Sequence, residues 1–262
     1  MTRIASIQLE VPADEPKEAR VERVAGIVEE QRAADLIVLP EIWNVGYFNF
    51  ASYDDEAEEL GGPTIERMRR EARAADAWLL AGSVVERTGD KLHNTSVLID
   101  RGGEIAATYR KVHLFGYGSE ERRLLTRGES ATVVDTELGR LGLATCYDLR
   151  FPELFRLMVS QEVEAFLITS AWPYPRVEAW TTLNRARAIE NQAWVISANC
   201  AGGTPPCCGR NMVVDPWGTV VASGGDRAGV VTADIALSAA ATAARGDFPA
   251  LRDRVLDTGG FK

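Results

Sequence analysis

The sequence predicts an α/β protein folded as a four-layer αββα sandwich. Two observations lead there. Strand-like and helix-like patterns alternate early and late in the chain, while turn signals in the middle join successive strands as hairpins. Strand patterns also outnumber helical ones, which suggests two sheets face to face with helices on the outer faces, not a simple doubly wound sheet.

Each element has its own signature. Residues 3–9 alternate as a strand, and 15–33 carry Val21, Val24 and Val28 at helical spacing. An apolar strand at 35–39 precedes a helix at 64–76, marked by Ile65, Met68, Ala72 and Ala75. Strands at 78–86, 93–100 and 104–110 are separated by Thr88-Gly89-Asp90 and Arg101-Gly102-Gly103. Strands at 131–135 and 141–146 lead to a helix at 152–161, where Pro152 suits a first turn. A strand at 164–170, a helix at 176–192 and a strand at 193–199 follow. The last strands are 211–215, 219–223 and 229–234, the first two joined through Pro216-Trp217-Gly218. No linker, low-complexity tract or repeat interrupts the pattern, so residues 1–262 read as one domain.

Composition narrows the function classes. With 46 % hydrophobic and 26 % charged residues, the balance is that of a soluble globular protein. A net charge of −9 offers nothing to nucleic acid or an anionic membrane, and the one dense acidic patch, Asp54 to Glu59, reads as solvated. The chain opens on a strand pattern, not a signal peptide, and no apolar run reaches the roughly 20 residues of a membrane helix. A cytoplasmic location is expected. Cysteines 146, 200, 207 and 208 lack the two-residue gap of a zinc site, and with only His93 and His113 as histidines no metal is expected.

Three strand patterns end in reactive groups. Leu36 to Leu39 runs into Pro40-Glu41, Ile105 to Tyr109 into Arg110-Lys111, and Leu141 to Thr145 into Cys146. If the strands are co-directional, the three groups share one rim. A thiol titrating near 8.5 needs a base or a cation beside it. Glu41, held at an apolar strand end, has the raised pKa of a base, and Lys111 supplies charge for a thiolate and an oxyanion. A cysteine–histidine dyad using His113, which shares Lys111's face on an extended segment, or His93 stands as an alternative.

These residues carry a resemblance. Leu39-Pro40-Glu41, Tyr109-Arg110-Lys111-Val112-His113-Leu114-Phe115 and Cys146-Tyr147-Asp148-Leu149-Arg150-Phe151-Pro152-Glu153 resemble the three signature blocks of the nitrilase superfamily of carbon–nitrogen hydrolases. Arg185 to Gln192 and Asp215 to Gly218 extend the likeness over the whole chain. The resemblance implies a Glu41-Lys111-Cys146 triad, no cofactor, and a second glutamate soon after the lysine. Glu120 and Glu121 both fall there, and counting back from Gly128 favours Glu121. It further implies a thioester acyl-enzyme, an oxyanion held by Lys111 and the Tyr147 N–H, and ammonia protonated by Glu41 or Glu121. It also implies a homodimer or higher homo-oligomer with the helices at 152–161 and 176–192 at the interface. The stripe Leu154, Leu157, Met158 would serve an interface or an ordinary core.

Tyr147-Asp148, where true nitrilases carry Trp-Glu, resembles the ω-amidase or Nit-type branch. The expected substrate is a small linear amide, an ω-amide of a dicarboxylic acid. N-carbamoyl amidohydrolase, nitrilase and a non-catalytic dimeric scaffold are the alternatives. Arg150 and Arg176 are candidates to meet a substrate carboxylate; otherwise Arg150 pairs with Glu153 and Arg176 sits on an exposed helix start. Tyr47, Phe115 and Trp172 are candidates for an apolar pocket wall or for core. Asn211 stands where the family often has serine, and the Pro205-Pro206-Cys207-Cys208 loop shapes a pocket entrance or is plain surface.

Overall fold

The computed structural model describes residues 1–255; residues 256–262 of the expected 1–262 unit lie outside the described residues. The first part of the chain runs β1 (Thr2–Glu10), α1 (Lys17–Glu29), β2 (Leu36–Val38), α2 (Tyr53–Glu56) and α3 (Pro63–Ala75). A hairpin region follows, with β3 (Trp78–Thr88), β4 (Lys91–Ile99), β5 (Ile105–Arg110) and the one-turn helix α4 (Glu121–Leu124). Then come β6 (Thr132–Thr136), β7 (Gly139–Thr145), α5 (Pro152–Val159), β8 (Ala165–Ser170), α6 (Val177–Asn191) and β9 (Trp194–Gly202). The chain closes with β10 (Cys207–Cys208), β11 (Met212–Val214), β12 (Val220–Ser223), β13 (Gly229–Ile235) and α7 (Leu237–Asp247).

Two sheets form, as expected. One is ordered β5-β4-β3-β2-β1-β13, the other β6-β7-β8-β9-β11-β12. They join where the end of β1 pairs with β9 through Leu9–Cys200 and Glu10–Ala201. Side-chain alternation shows the layering. On β2, Leu36 and Val38 enter the core between the sheets, whereas Ile37 and Leu39 enter the core under α1 and α3. That double burial explains why β2 reads as a continuous apolar run. On the far side, Leu154, Phe155 and Met158 of α5 and Trp180 of α6 close the second sheet. Hydroxyls stitch the sheets together: Ser96 of β4 lies 2.9 Å from Thr145 and 3.3 Å from Thr169.

The short elements α2, α4 and β10 lie outside the expectation, and there are three larger departures. Cys146 does not end β7 but opens a 3-10 turn over Cys146–Arg150, because its φ of 47° breaks the strand. Helix α7 was not foreseen, since its buried face is made of Leu237, Ala241 and Ala244, and small alanines give no periodic apolar signal. The stripe on α5 divides: Leu154 and Met158 are core, while Leu157 is 45 % exposed.

Strand directions put the reactive ends together. From β1, parallel pairing leads to β2 and β3 on one side and to β9, β8 and β7 on the other. Two antiparallel steps through β4 return β5 to that same direction. The carboxyl ends of β2, β5 and β7 therefore face one rim. The turn after β2 is seated by a bulge in β3 at Gly82, whose φ is +72° and where a Cβ would stand 2.0 Å from the Pro40 carbonyl oxygen. We expect Gly82→Ala to destabilise the protein by at least ~2 kcal/mol, because strain and backbone overlap coincide there. Urea unfolding at matched protein concentration checks this.

Candidate active site

Glu41 lies three residues beyond the end of β2, and Ile42 turns the chain with a φ of 40°. The Glu41 carboxylate is fully buried. Its Oε1 accepts from Lys111 Nζ and from Asn94 Nδ2, both at 2.8 Å, and its Oε2 accepts from the Ala171 N–H at 2.9 Å. Burial lifts its pKa above the ordinary carboxylate range, and Lys111 only partly offsets this.

Lys111 sits at the end of β5, and its N–H donates to the Asn94 carbonyl. Its ammonium also reaches Glu121, at 2.8 Å from Oε1 and 3.0 Å from Oε2. Burial alone would drive its proton off, but the two carboxylates outweigh burial and hold the lysine charged. Glu121, not Glu120, is the buried member of the pair; Glu120 caps the same turn from outside. Its Oε2 also accepts from the Phe115 N–H at 2.8 Å and the Tyr47 hydroxyl at 3.1 Å. Gly128 is required because a Cβ there would stand 2.0 Å from the Arg110 carbonyl oxygen, beside the lysine.

Cys146 stands across from Glu41 with 8 % of its surface exposed. Burial pushes its thiol well up, Glu41 adds to the shift, and Lys111 opposes it with a smaller effect. Lys111 favours the thiolate less than expected, because its charge also faces two carboxylates. A thiol whose proton affinity burial raises, beside a carboxylate raised in the same way, suits moving the proton as the sulfur attacks.

The histidine alternative fails on geometry. His93 Nδ1 is 2.8 Å from the Thr126 carbonyl oxygen, and His113 Nδ1 is 2.7 Å from Asp148 while its ring stacks on Phe151. Asp148 emerges as the clamp of the site. Its Oδ2 accepts from Tyr109 at 2.7 Å and from the Thr145 N–H at 2.9 Å, and its Oδ1 accepts from the His113 N–H at 3.0 Å. One buried carboxylate thus ties the Lys111 segment to the Cys146 turn.

A cavity of about 280 Å³ opens over Cys146. Tyr47, Phe115, Tyr147, Arg150, Trp172 and Arg176 all line it, so each residue expected near the substrate is there. Arg150 lies over the Trp172 ring at 5.0 Å, and Arg176 over the Phe115 ring at 5.5 Å. Among the described residues neither makes an ion pair, so the Arg150–Glu153 pairing does not form. The proline–cysteine loop belongs to this site: Pro205 lines the cavity, and the Cys208 N–H donates to the Trp172 carbonyl at 2.9 Å. Asn211 accepts from the Asn199 N–H at 2.7 Å and donates to Ser6 at 2.8 Å.

Sequence reasoning missed Asn94 and the cavity residues Phe48, Tyr117 and Ser119. No local signal marks Asn94, one of four successive polar residues, His93 to Ser96, in β4. Asp148 was read as a branch marker, and its clamping contacts are tertiary.

Residues 3–245 match the carbon-nitrogen hydrolase family, and the chain belongs to it. It is 35 % identical over 264 residues to a 2-oxoglutaramate amidase of Paenarthrobacter nicotinovorans, covering 97 % of this chain and 90 % of that one. Among solved structures, Nit3 of Saccharomyces cerevisiae, a member of branch 10 of the nitrilase superfamily, superposes with a TM-score of 0.88 at 29 % identity, covering 97 % of each chain. An amidase variant from Nesterenkonia sp. AN1, with acrylamide added to its active-site cysteine, gives a TM-score of 0.84 at 25 % identity, also covering 97 % of each.

We expect Asp148→Asn to cost ~2–3 kcal/mol in urea unfolding, since hydrogen bonds to a charged acceptor are worth about 1.5–3 kcal/mol each. Turnover should fall with it, because both reactive segments lose a shared anchor.

Proposed function

We propose that this protein is a cysteine-dependent ω-amidase, hydrolysing a short ω-amide of a dicarboxylic acid to carboxylate and ammonia. One observation carries the reading: Lys111 joins the Glu41 and Glu121 carboxylates in a buried cluster on which a cavity-lining thiol rests. In this reading Cys146 attacks the amide carbon while its proton passes to Glu41. The oxyanion is held by Lys111 and by the Tyr147 N–H, one of the opening N–H groups of a 3-10 turn, which have no partner within the turn. Glu41 returns the proton to the departing ammonia, then draws one from the water that cleaves the thioester. Glu121 accepts from Lys111, Asn94, the Phe115 N–H and the Tyr47 hydroxyl, which suits it to holding Lys111. No cofactor enters these steps.

The carboxylate end of the substrate meets Arg150 and Arg176, two guanidinium groups without an ion-pair partner among the described residues of a chain of net charge −9. The relative that acts on 2-oxoglutaramate supports an acidic amide. A homodimer in the cytoplasm completes the reading, with α5 and α6 at the interface. Leu157 and Ile189, 45 % and 50 % exposed on those helices, support it. No helix among the described residues is long and apolar enough to cross a membrane.

Ammonia release should follow from 2-oxoglutaramate and succinamate, fall to background in Cys146→Ala, and be absent with nitriles and N-carbamoyl amines. Ammonia from nitriles alone would overturn the assignment, and activity surviving in the alanine variant would overturn the mechanism. Removing one charge in Arg176→Gln should raise KM for acidic amides about 10–100-fold, the equivalent of ~1.5–3 kcal/mol. Its kcat, and its hydrolysis of an uncharged amide, should stay near wild type.

A further inference from the structure

We propose that Asn94 is a positioning residue that sets the proton affinity of Glu41. The proposal rests on the reading of Glu41 as the base. Three observations support it. One N–H of the Asn94 amide donates to Glu41 Oε1 at 2.8 Å and the other to Glu121 Oε1 at 3.0 Å. The Asn94 carbonyl meanwhile receives the Lys111 N–H at 2.8 Å, so one residue touches all three members of the buried cluster. Its own Oδ1 is buried without a partner.

The orphaned oxygen is informative. A buried acceptor left unpaired is unfavourable, and an apolar residue of similar shape would avoid it. The side chain is therefore retained for its two donors. The opposite amide orientation would aim oxygen at two carboxylates, so the direction of donation is settled by chemistry. A neutral donor to the Glu41 carboxylate favours its ionised form. It counters the burial that lifts Glu41, and it does so without adding a charge that would hold the proton off altogether. Asn94 is 1 % exposed and is not among the residues lining the cavity, so it acts on the proton and not on the substrate.

The test compares wild type, Asn94→Ala and the near-isosteric Asn94→Asp. Ammonia release from 2-oxoglutaramate is followed against pH, and alkylation of Cys146 by iodoacetamide is followed by mass spectrometry at the same pH values. Asn94→Ala should lose about 10–100-fold in kcat with KM within about twofold. The acid limb of its kcat profile should move up by about one pH unit, because Glu41 then keeps its proton to higher pH. The limb for Cys146 alkylation should move with it. Asn94→Asp, which adds a third carboxylate, should shift both limbs further in the same direction.

Limbs unmoved in both variants, or a raised KM with unchanged kcat, would overturn the proposal. A purely structural role would lower the melting temperature without moving either limb, and that result also counts against it. If Asn94→Ala does not fold, the shape-matched aspartate variant decides. Alkylation needs no turnover. A wild type that releases no ammonia therefore sinks the amidase reading, while the alkylation limbs still decide the role of Asn94.

Discussion

The structure depends on one buried ammonium. Lys111 is wholly removed from water, and a lone charge there would surrender its proton or unfold the site. Two carboxylates at 2.8 Å keep it charged, and they in turn need donors from Asn94, Ala171, Phe115 and Tyr47. One cation against two anions leaves the cluster formally at −1. Burial is the larger cause of the raised proton affinity of both Glu41 and Cys146, and the neighbouring carboxylates add to it. The pairing that makes burial tolerable also prepares the proton transfer.

Such a cluster can only form where strand ends converge. Glu41 and Lys111 come from one sheet and Cys146 from the other, so the thiol meets its partners across the interface between sheets. Convergence asks for unfavourable backbone at Ile42 and Cys146, with φ of 40° and 47°. Strain of this kind costs about 1–3 kcal/mol per residue. The hydrogen bonds around Asp148, several of them charge-assisted, are large enough to offset it at Cys146. The bulge at Gly82 serves the Glu41 turn by making room for it. Rigidity at the rim thus comes from groups that never meet a substrate.

The cavity above adds a second electrical asymmetry. The negative cluster lies beneath its floor, which Cys146 forms, whereas Arg150 and Arg176 sit on aromatic faces without acidic partners among the described residues. An amide with a distant carboxylate matches that polarity along its length. The Pro205 to Cys208 loop contributes by pinning Trp172, the ring on which Arg150 rests.

Much was legible in the sequence. Continuous apolar runs marked the buried strands, and the residues that ended three of them, Glu41, Lys111 and Cys146, were evident because each breaks such a run with a reactive group. Glu121 was reached through the resemblance and the glycine that follows it. Helix α7 was hidden because alanine packing leaves no period, and the α5 stripe was ambiguous because period says nothing about what covers a face. The sequence by itself determined that three strand patterns run into groups able to react, since that follows from chain-local pattern; that those strands end on one rim came from their pairing. Only the tertiary structure decided that burial raises the proton affinity of Cys146, that Asn94 joins both carboxylates, and that Asp148 clamps the two segments. Protonation and hydrogen bonding depend on distance and burial, and those are set by residues up to 130 positions apart in the chain.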